Sequence, residues 1–307
     1  MVMRVLHVNK DTVLNDQNRV ACIGYFDGLH LGHQQLINET LKVAKEKKLT
    51  SALITFDPDP WITIGKVKSA AHITPLKQRL QLAKYFGLDE VIILDFTMDV
   101  ASLSVIAFEQ LLKRQNIISL VVGFDFSYGA KGKGNVASLR ENNTFDLHVI
   151  NAYQDELGKI SSTRIDQALL DGDIELANRL LGYPFFVEGR VIHGQHVGHE
   201  LGFPTANISV NDDQLLPDNG VYAAKLMIDN QLFQAMVNIG HNPTCNYVRH
   251  LSLEAHILDF DADIYGKDII LIFHHKIRNE VKFITKENLI DQLHSDATSV
   301  KEYFYDN

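Results

Sequence analysis

Cysteine is scarce: two in 307 residues, Cys22 and Cys245, far apart and without the paired spacing of a thiolate metal site. Cys22 lies in an apolar run and reads as a small core residue. Nothing calls for an oxidising compartment. An excess of positive charge is also missing, since 29 Lys and Arg face 38 Asp and Glu, for a net charge of −9. General affinity for a nucleic-acid backbone needs clustered Lys and Arg, so no nucleic-acid partner is expected; one small nucleotide pocket remains compatible. No apolar run approaches the roughly 18 residues of a membrane span. The opening "MVMRVLHVNKDTVL" lacks the continuous apolar core of a signal peptide. Internal repeats and low-complexity tracts are absent. The expected setting is the cytoplasm, without a membrane partner, and oligomeric state is left open.

What is present is ordinary globular composition, 46% hydrophobic and 22% charged, on a chain long enough for two domains. The first half alternates apolar runs with amphipathic segments. Strands are predicted at "VACIG" (20–24), "ALITF" (52–56), "VIILDF" (91–96), "SLVVGF" (119–124) and "LHVINAY" (147–153). Helices are predicted between them, with Ile37, Leu41 and Ala44 on one face, Leu76, Leu80 and Ala83 on another, and a third at 104–115. That order implies an α/β domain with a mostly parallel sheet covered on both faces. Two short helices follow, and from Phe185 the period changes to two. Six alternating runs and one late helix, "TKENLIDQLHSDATSVKEYF", suggest a small antiparallel β-barrel with a C-terminal helix. The predicted domains are 1–183 and 184–307.

Ligands of an open parallel sheet bind beyond the carboxyl ends of its strands. There lie "GYFDGLHLGH" after the first strand, "DPDP" after the second and "DFSYGAKGKGN" after the fourth. His30 and His33 would occupy the loop and first turn of a helix, where free N–H groups and the dipole favour an anion. Gly24, Gly28 and Gly32 would let backbone approach closely. A core or capping role is the competing reading, preferred for a lone histidine but not for a glycine-flanked pair. "GKGNVA" fits a dinucleotide fingerprint, yet it follows the fourth strand after a polar loop and is better read as a loop over a nucleotide. A dehydrogenase reading is therefore ranked last.

The segment His30–His33 resembles the HxGH signature of nucleotidylyltransferases. The longer "GYFDGLHLGHQQLI" is similar to prokaryotic bifunctional riboflavin kinase/FMN adenylyltransferases, the FAD synthetases. The likeness continues through "TFDPDP", "VGFDFSYGAKGKG" and "KISSTRI", then "GFPTANI", "GVYAA", "NIGHNPT", "SLEAHILDFDADIYG" and "IRNEVKF". It spans nearly the whole chain in order. The resemblance implies a Rossmann-like nucleotidylyltransferase domain and a riboflavin kinase-like barrel, acting on riboflavin, FMN and ATP with Mg²⁺. In the first domain it makes His30, His33 and Arg164 catalytic. It places Gly24, Phe26, Asp27, Gly32, Asp125, Ser161, Ser162 and Thr163 on the nucleotide and Pro58 and Pro60 on the flavin side. Without it, "SST" is an ordinary N-cap, Asp125 a candidate buried structural carboxylate and the prolines a turn.

In the second half Thr205 and Asn207 share a strand face and carry neutral oxygens suited to Mg²⁺. The resemblance gives them that role with ATP, makes Glu254 the general base for the ribityl 5′-hydroxyl, and leaves Arg278 a flavin-side or structural cation. Taken alone, "PTAN" is a strand entry and Glu254 a solvated carboxylate. His193, His196 and His199 recur at intervals of three, but no cysteine or acidic ligand flanks them, so zinc is not expected. Four departures from the family pattern stand out. Asp59 replaces a histidine between the prolines, Asp166 a basic residue after "STRI", His199 an arginine and Cys245 an aromatic. The last two motivate an alternative in which only the adenylyltransferase works and the barrel is a flavin-binding module. A non-catalytic flavin carrier is a third reading, disfavoured by the complete HxGH set.

Overall fold

The computed structural model describes residues 2–194, 202–241 and 251–306. Contacts divide the chain into two compact units, Met1–Ser162 and Thr163–Asn307. Strands of the first are β1 (Arg4–Val8), β2 (Arg19–Ile23), β3 (Thr50–Asp57), β4 (Glu90–Asp95), β5 (Ile117–Gly123), a hairpin of β6 (Ser127–Tyr128) and β7 (Gly134–Asn135), β8 (Asp146–Ile150), and a hairpin of β9 (Gln154–Asp155) and β10 (Gly158–Lys159). Its helices are α1 (Leu31–Lys47), α2 (Pro60–Thr63), α3 (Leu76–Tyr85), α4 (Met98–Ala101), α5 (Val105–Arg114) and α6 (Val136–Asn142).

The main sheet is parallel throughout, in the order β1-β4-β3-β2-β5-β8. From β2 the chain moves outward to β3 and β4, then returns to β5 on the other side of β2. That reversal opens a crevice beyond the carboxyl ends of β2 and β5. Every residue of β2 is buried, as a central strand covered on both faces requires. Cys22 is among them, and burial pushes its thiol up to about 12, in keeping with an inert core residue. At the opposite end of the sheet the buried Arg19 guanidinium meets Glu90 at 2.7 Å and Asp16 at 2.7 Å.

Two elements differ from the sequence expectation. Edge strand β1 was not predicted, because its residues are mostly exposed and show no buried run. Helix α3 forms where expected but turns differently. Gln78, Arg79, Leu82 and Ala83 are its buried residues, while Leu76 and Leu80 are only half-buried. Arg79 causes the rotation: its Nη1 donates to the Tyr25 carbonyl at 2.8 Å and to Thr55 Oγ1 at 2.9 Å, and its guanidinium stacks 4.4 Å from the Tyr25 ring.

The second unit begins with α7 (Ser162–Leu170, which starts at the last residue of the first unit) and α8 (Ile174–Leu181). Asp173 caps α8, and Gly182 closes it at φ 78°. Asn178 fastens α8 to the barrel, donating to the Phe273 carbonyl at 3.0 Å and accepting from the Phe185 amide at 2.6 Å. Strands β11 (Phe186–Ile192), β12 (Ala206–Val210), β13 (Gly220–Ile228), β14 (Gln231–His241), β15 (Leu251–Ile257) and β16 (Asp268–Arg278) follow, then α9 (Lys286–Asp306). They close an antiparallel barrel in the order β11-β12-β15-β14-β13-β16. The period-2 pattern holds in β15, where Leu253, Ala255 and Ile257 are buried while Glu254 and His256 are only partly so.

Candidate active sites

Beyond β2 the chain leaves the sheet at Gly24 and makes a tight turn before α1. Phe26 at φ 61° and Gly28 at φ 79° adopt the left-handed region, and that reversal brings His30 to the N-cap of α1. The His30 ring accepts the His33 amide through Nδ1 at 3.3 Å. The two imidazoles stack with centroids 3.7 Å apart, and the Phe26 ring meets His33 edge-on at 5.1 Å. A Cβ at Gly32 would lie 3.0 Å from the His30 ring, so glycine there leaves room for the stack.

This pair lines a cavity of about 300 Å³ together with Gly24, Phe26, Gly32, Asp125, Ser161 and Ser162. Six of the residues expected at the nucleotide are therefore brought together with the two histidines at the switch point of the sheet. Asp125 is exposed and pairs with Lys159, which sets aside the alternative of a buried structural carboxylate. The Ser162 hydroxyl donates to the Asp27 carbonyl at 2.9 Å, tying the "ISST" segment to the histidine turn. Lys159, on β10, also lines the cavity and was not singled out from the sequence, although it opens the quoted "KISSTRI". Burial, aided by the Lys159 charge, lowers His30 to about 4. Burial, then the charges of His30 and Lys159, depress His33 well below its ordinary range. Both rings are thus neutral at pH 7. Since His30 Nδ1 is an acceptor, its proton sits on Nε2, leaving that N–H to donate.

Asp27 lies beside the cavity lining with its carboxylate otherwise engaged. It accepts the Ile73 amide at 3.2 Å, the Thr74 amide at 2.8 Å and the Thr74 hydroxyl at 3.1 Å. Asp59 has a local role too, capping α2 by accepting the Trp61 amide at 2.6 Å. Pro58 and Pro60 flank it at the carboxyl end of β3, and Trp61 packs edge-on to Tyr25 at 5.3 Å. Thr163 and Arg164 belong to the first turn of α7, in the second compact unit.

In the barrel, Thr205 lines a second cavity of about 160 Å³ with Pro204, Ile257, Asp261 and Tyr265. Its hydroxyl donates to Glu254 Oε2 at 3.3 Å, and Asn207 is the cross-strand partner of Glu254. Any side chain at Gly194, two residues beyond β11, would collide with the Asn207 side-chain amide on β12. His193 stacks on Tyr265 at 4.0 Å. His196, His199 and Cys245 lie outside the described residues. Arg278 gives its donors to buried Asp296 of α9, with Nε at 2.9 Å and Nη2 at 2.7 Å, which favours the structural side of its two expected roles.

Comparison with known proteins decides the family. The family model described as FAD synthetase matches residues 13–164, and the one described as riboflavin kinase matches 181–304. A bifunctional riboflavin kinase/FMN adenylyltransferase from Listeria monocytogenes is 38% identical, covering 94% of this chain and 93% of that protein. One of the same name from Bacillus subtilis is 35% identical, with 98% of each covered. The chain belongs to the bifunctional riboflavin kinase/FMN adenylyltransferase family. Both catalytic domains of that family are present, which favours the two-activity expectation over a barrel serving only as a binding module. A crystal structure named macrolide-efflux protein, from Streptococcus pneumoniae, is 33% identical, covers 97% of this chain and 99% of its own, and superposes with a TM-score of 0.91. Among the described residues here, no helix is long and apolar enough to cross a membrane. The chain therefore shares the fold of that structure.

Proposed function

We propose that the chain makes FAD in two ATP-dependent steps, phosphorylating riboflavin to FMN in the barrel and adenylylating FMN in the α/β unit. The observation that carries the second step is the stacked, neutral His30–His33 pair at the N-terminus of α1. An FMN phosphate oxygen attacks the α-phosphorus of ATP and pyrophosphate leaves. The nucleophile is already anionic, so alignment and neutralisation of charge carry the catalysis. His30 Nε2–H, the free amides of α1 and the cations Lys159 and Arg164 supply donors to the phosphoryl oxygens. Gly24, Phe26, Gly32, Asp125, Ser161, Ser162 and Thr163 hold the nucleotide, while Asp27 shapes the turn. Pro58 and Pro60 border the flavin.

In the barrel, Glu254 takes the proton of the ribityl 5′-hydroxyl as that oxygen attacks the γ-phosphorus of ATP. Thr205 and Asn207 offer neutral oxygens of the kind Mg²⁺ takes, and the ion would screen the phosphate charge when bound. Arg278 supports the site by holding α9. The functional boundary in this reading is 183/184, shortly after the riboflavin kinase match begins at 181, although α7 and α8 group with the barrel. A cytoplasmic setting and small-molecule partners belong to the same reading.

A chromatographic product time course with riboflavin, ATP and Mg²⁺, repeated from FMN, tests it. Riboflavin is expected to yield FMN and then FAD; conversion of FMN alone would restore the binding-module alternative. Asn at both 30 and 33 is expected to abolish FAD formation and spare FMN formation, whereas Glu254→Gln removes FMN formation alone.

A further inference from the structure

His72 stands between two buried carboxylates. Its Nδ1 is 3.7 Å from Asp27 Oδ2 and its Nε2 is 3.9 Å from Asp59 Oδ2. Those separations are at ion-pair range, longer than direct hydrogen bonds. The Tyr25 hydroxyl lies 3.3 Å from Nε2, and His72, Asp27 and Asp59 are all buried. Each carboxylate holds a different part of the site. Asp27 belongs to the turn leading into His30 and fixes the chain at Ile73 and Thr74, while Thr74 in turn accepts the Gly28 amide at 2.7 Å. Asp59 caps α2, four residues that present a half-exposed Trp61. A helix so short has no stability of its own, so its placement depends on that cap and on what the cap touches. The two carboxylates thus flank one ring, each at ion-pair range of a different ring nitrogen, so the imidazole spaces Asp27 from Asp59.

We propose that His72 is a positioning residue for the flavin substrate, setting the distance between the His30–His33 turn and the Trp61 lip so that bound FMN presents its phosphate to the histidines. This inference rests on the reading that the Pro58–Trp61 edge borders the flavin. His72 itself touches neither substrate.

The test is steady-state adenylyl transfer with FMN and ATP varied separately, on full-length His72→Phe, His72→Gln, Asp59→Asn, the His72→Phe/Asp59→Asn double variant and Trp61→Ala. His72→Phe and Asp59→Asn are each expected to raise the KM for FMN about tenfold, with kcat and the KM for ATP within about threefold of the parent. The double variant is expected to match either single one, because the two side chains act as a unit. Glutamine at 72, which retains a donor, is expected to recover most of the loss. An unchanged KM for FMN in His72→Phe, multiplicative effects in the double variant, or an equal rise of the KM values for FMN and ATP overturns the proposal. Should His72→Phe fail to fold, Asp59→Asn and His72→Gln decide by the same criterion. Trp61→Ala separates the layers: if it leaves the KM for FMN unchanged, the flavin-side reading itself fails, whereas a raised KM there with an inert His72→Phe sinks only the role of His72.

Discussion

The imidazoles of His30 and His33 stack 3.7 Å apart with their planes 17° from parallel, both buried enough to stay neutral at pH 7. Neutrality suits a site awaiting two anionic substrates, since cations that close would repel each other. It also makes the fold sensitive to acid. The His30 value is lowered from 6.5 to about 4, so between those pH values the unfolded chain binds the proton and the folded chain does not. Stability therefore rises with pH across that window and is lost on acidification through it. His30→Asn keeps an N-cap acceptor for α1 but removes the titration. Urea unfolding of the first unit at pH 7 and pH 4.5 is expected to show a smaller acid loss in this variant, by at most about 3 kcal/mol. An equal loss in both proteins would mean the ring is not held neutral.

Gly194 and Asn207 give a sharper steric prediction. A Cβ at 194 would occupy the space of the Asn207 amide, so Gly194→Ala must move the Asn207 side chain away from its present position on the strand that pairs with Glu254. Overpacking of this kind costs about 1–3 kcal/mol. FMN formation is expected to fall at least about tenfold while FAD formation from supplied FMN stays at the parent level. A fall in both activities would point to global damage instead.

Much of this was legible in the sequence where the physical signal is local. The alternation of buried runs in β2 to β5, the period of two in the barrel strands and the glycine-flanked histidines each follow from rules acting within a few residues. The helix between β3 and β4 was legible in place and not in orientation. Hydrophobicity favoured Leu76 and Leu80 for its buried face, but Arg79 has a carbonyl, a hydroxyl and an aromatic ring to meet, and those partners lie 24 to 54 residues away. Strand β1 was invisible because an edge strand needs little apolar content. Lys159 escaped notice for a similar reason: a lysine beside a serine-rich turn acquires meaning only when the fold sets it beside Asp125 and the two histidines. The ties of Asp27 and Asp59 to His72 are equally nonlocal.

Glu109 illustrates how such a distant contact can be tested. Its buried carboxylate accepts the Tyr128 hydroxyl at 2.5 Å, the Asn142 amide at 2.8 Å and the Thr144 hydroxyl at 2.5 Å. Tyr128 anchors the loop that follows the cavity residues Asp125 and Phe126, and a Cβ at Gly134 would stand 2.7 Å from its ring. Tyr128→Phe removes one of three donors and is expected to cost about 1 kcal/mol, with a small effect on the KM for ATP. Glu109→Ala removes the acceptor of all three, strands the buried Tyr128 hydroxyl, and is expected to cost more, about 1–3 kcal/mol, and to raise that KM markedly. Thermal melts alongside ATP titrations check the order of the two effects.

The last prediction separates two roles for Arg278. Its guanidinium grips Asp296, which is 1% exposed and also accepts from Gln292 at 2.8 Å, so the contact joins β16 to α9. Removing one member of a buried pair leaves the other charge uncompensated, at a cost of about 3–5 kcal/mol, whereas replacing both with apolar groups of similar size is often neutral. If Arg278 acts through α9, Arg278→Met and Asp296→Leu should each lower the melting temperature of the barrel. The double variant should recover most of the loss, with the KM for riboflavin near the parent value. If Arg278 instead contacts the flavin, the double variant would melt normally and still bind riboflavin poorly. Melting curves and riboflavin kinetics on the same three proteins distinguish these outcomes, because a structural tie can be replaced by packing and a ligand contact cannot.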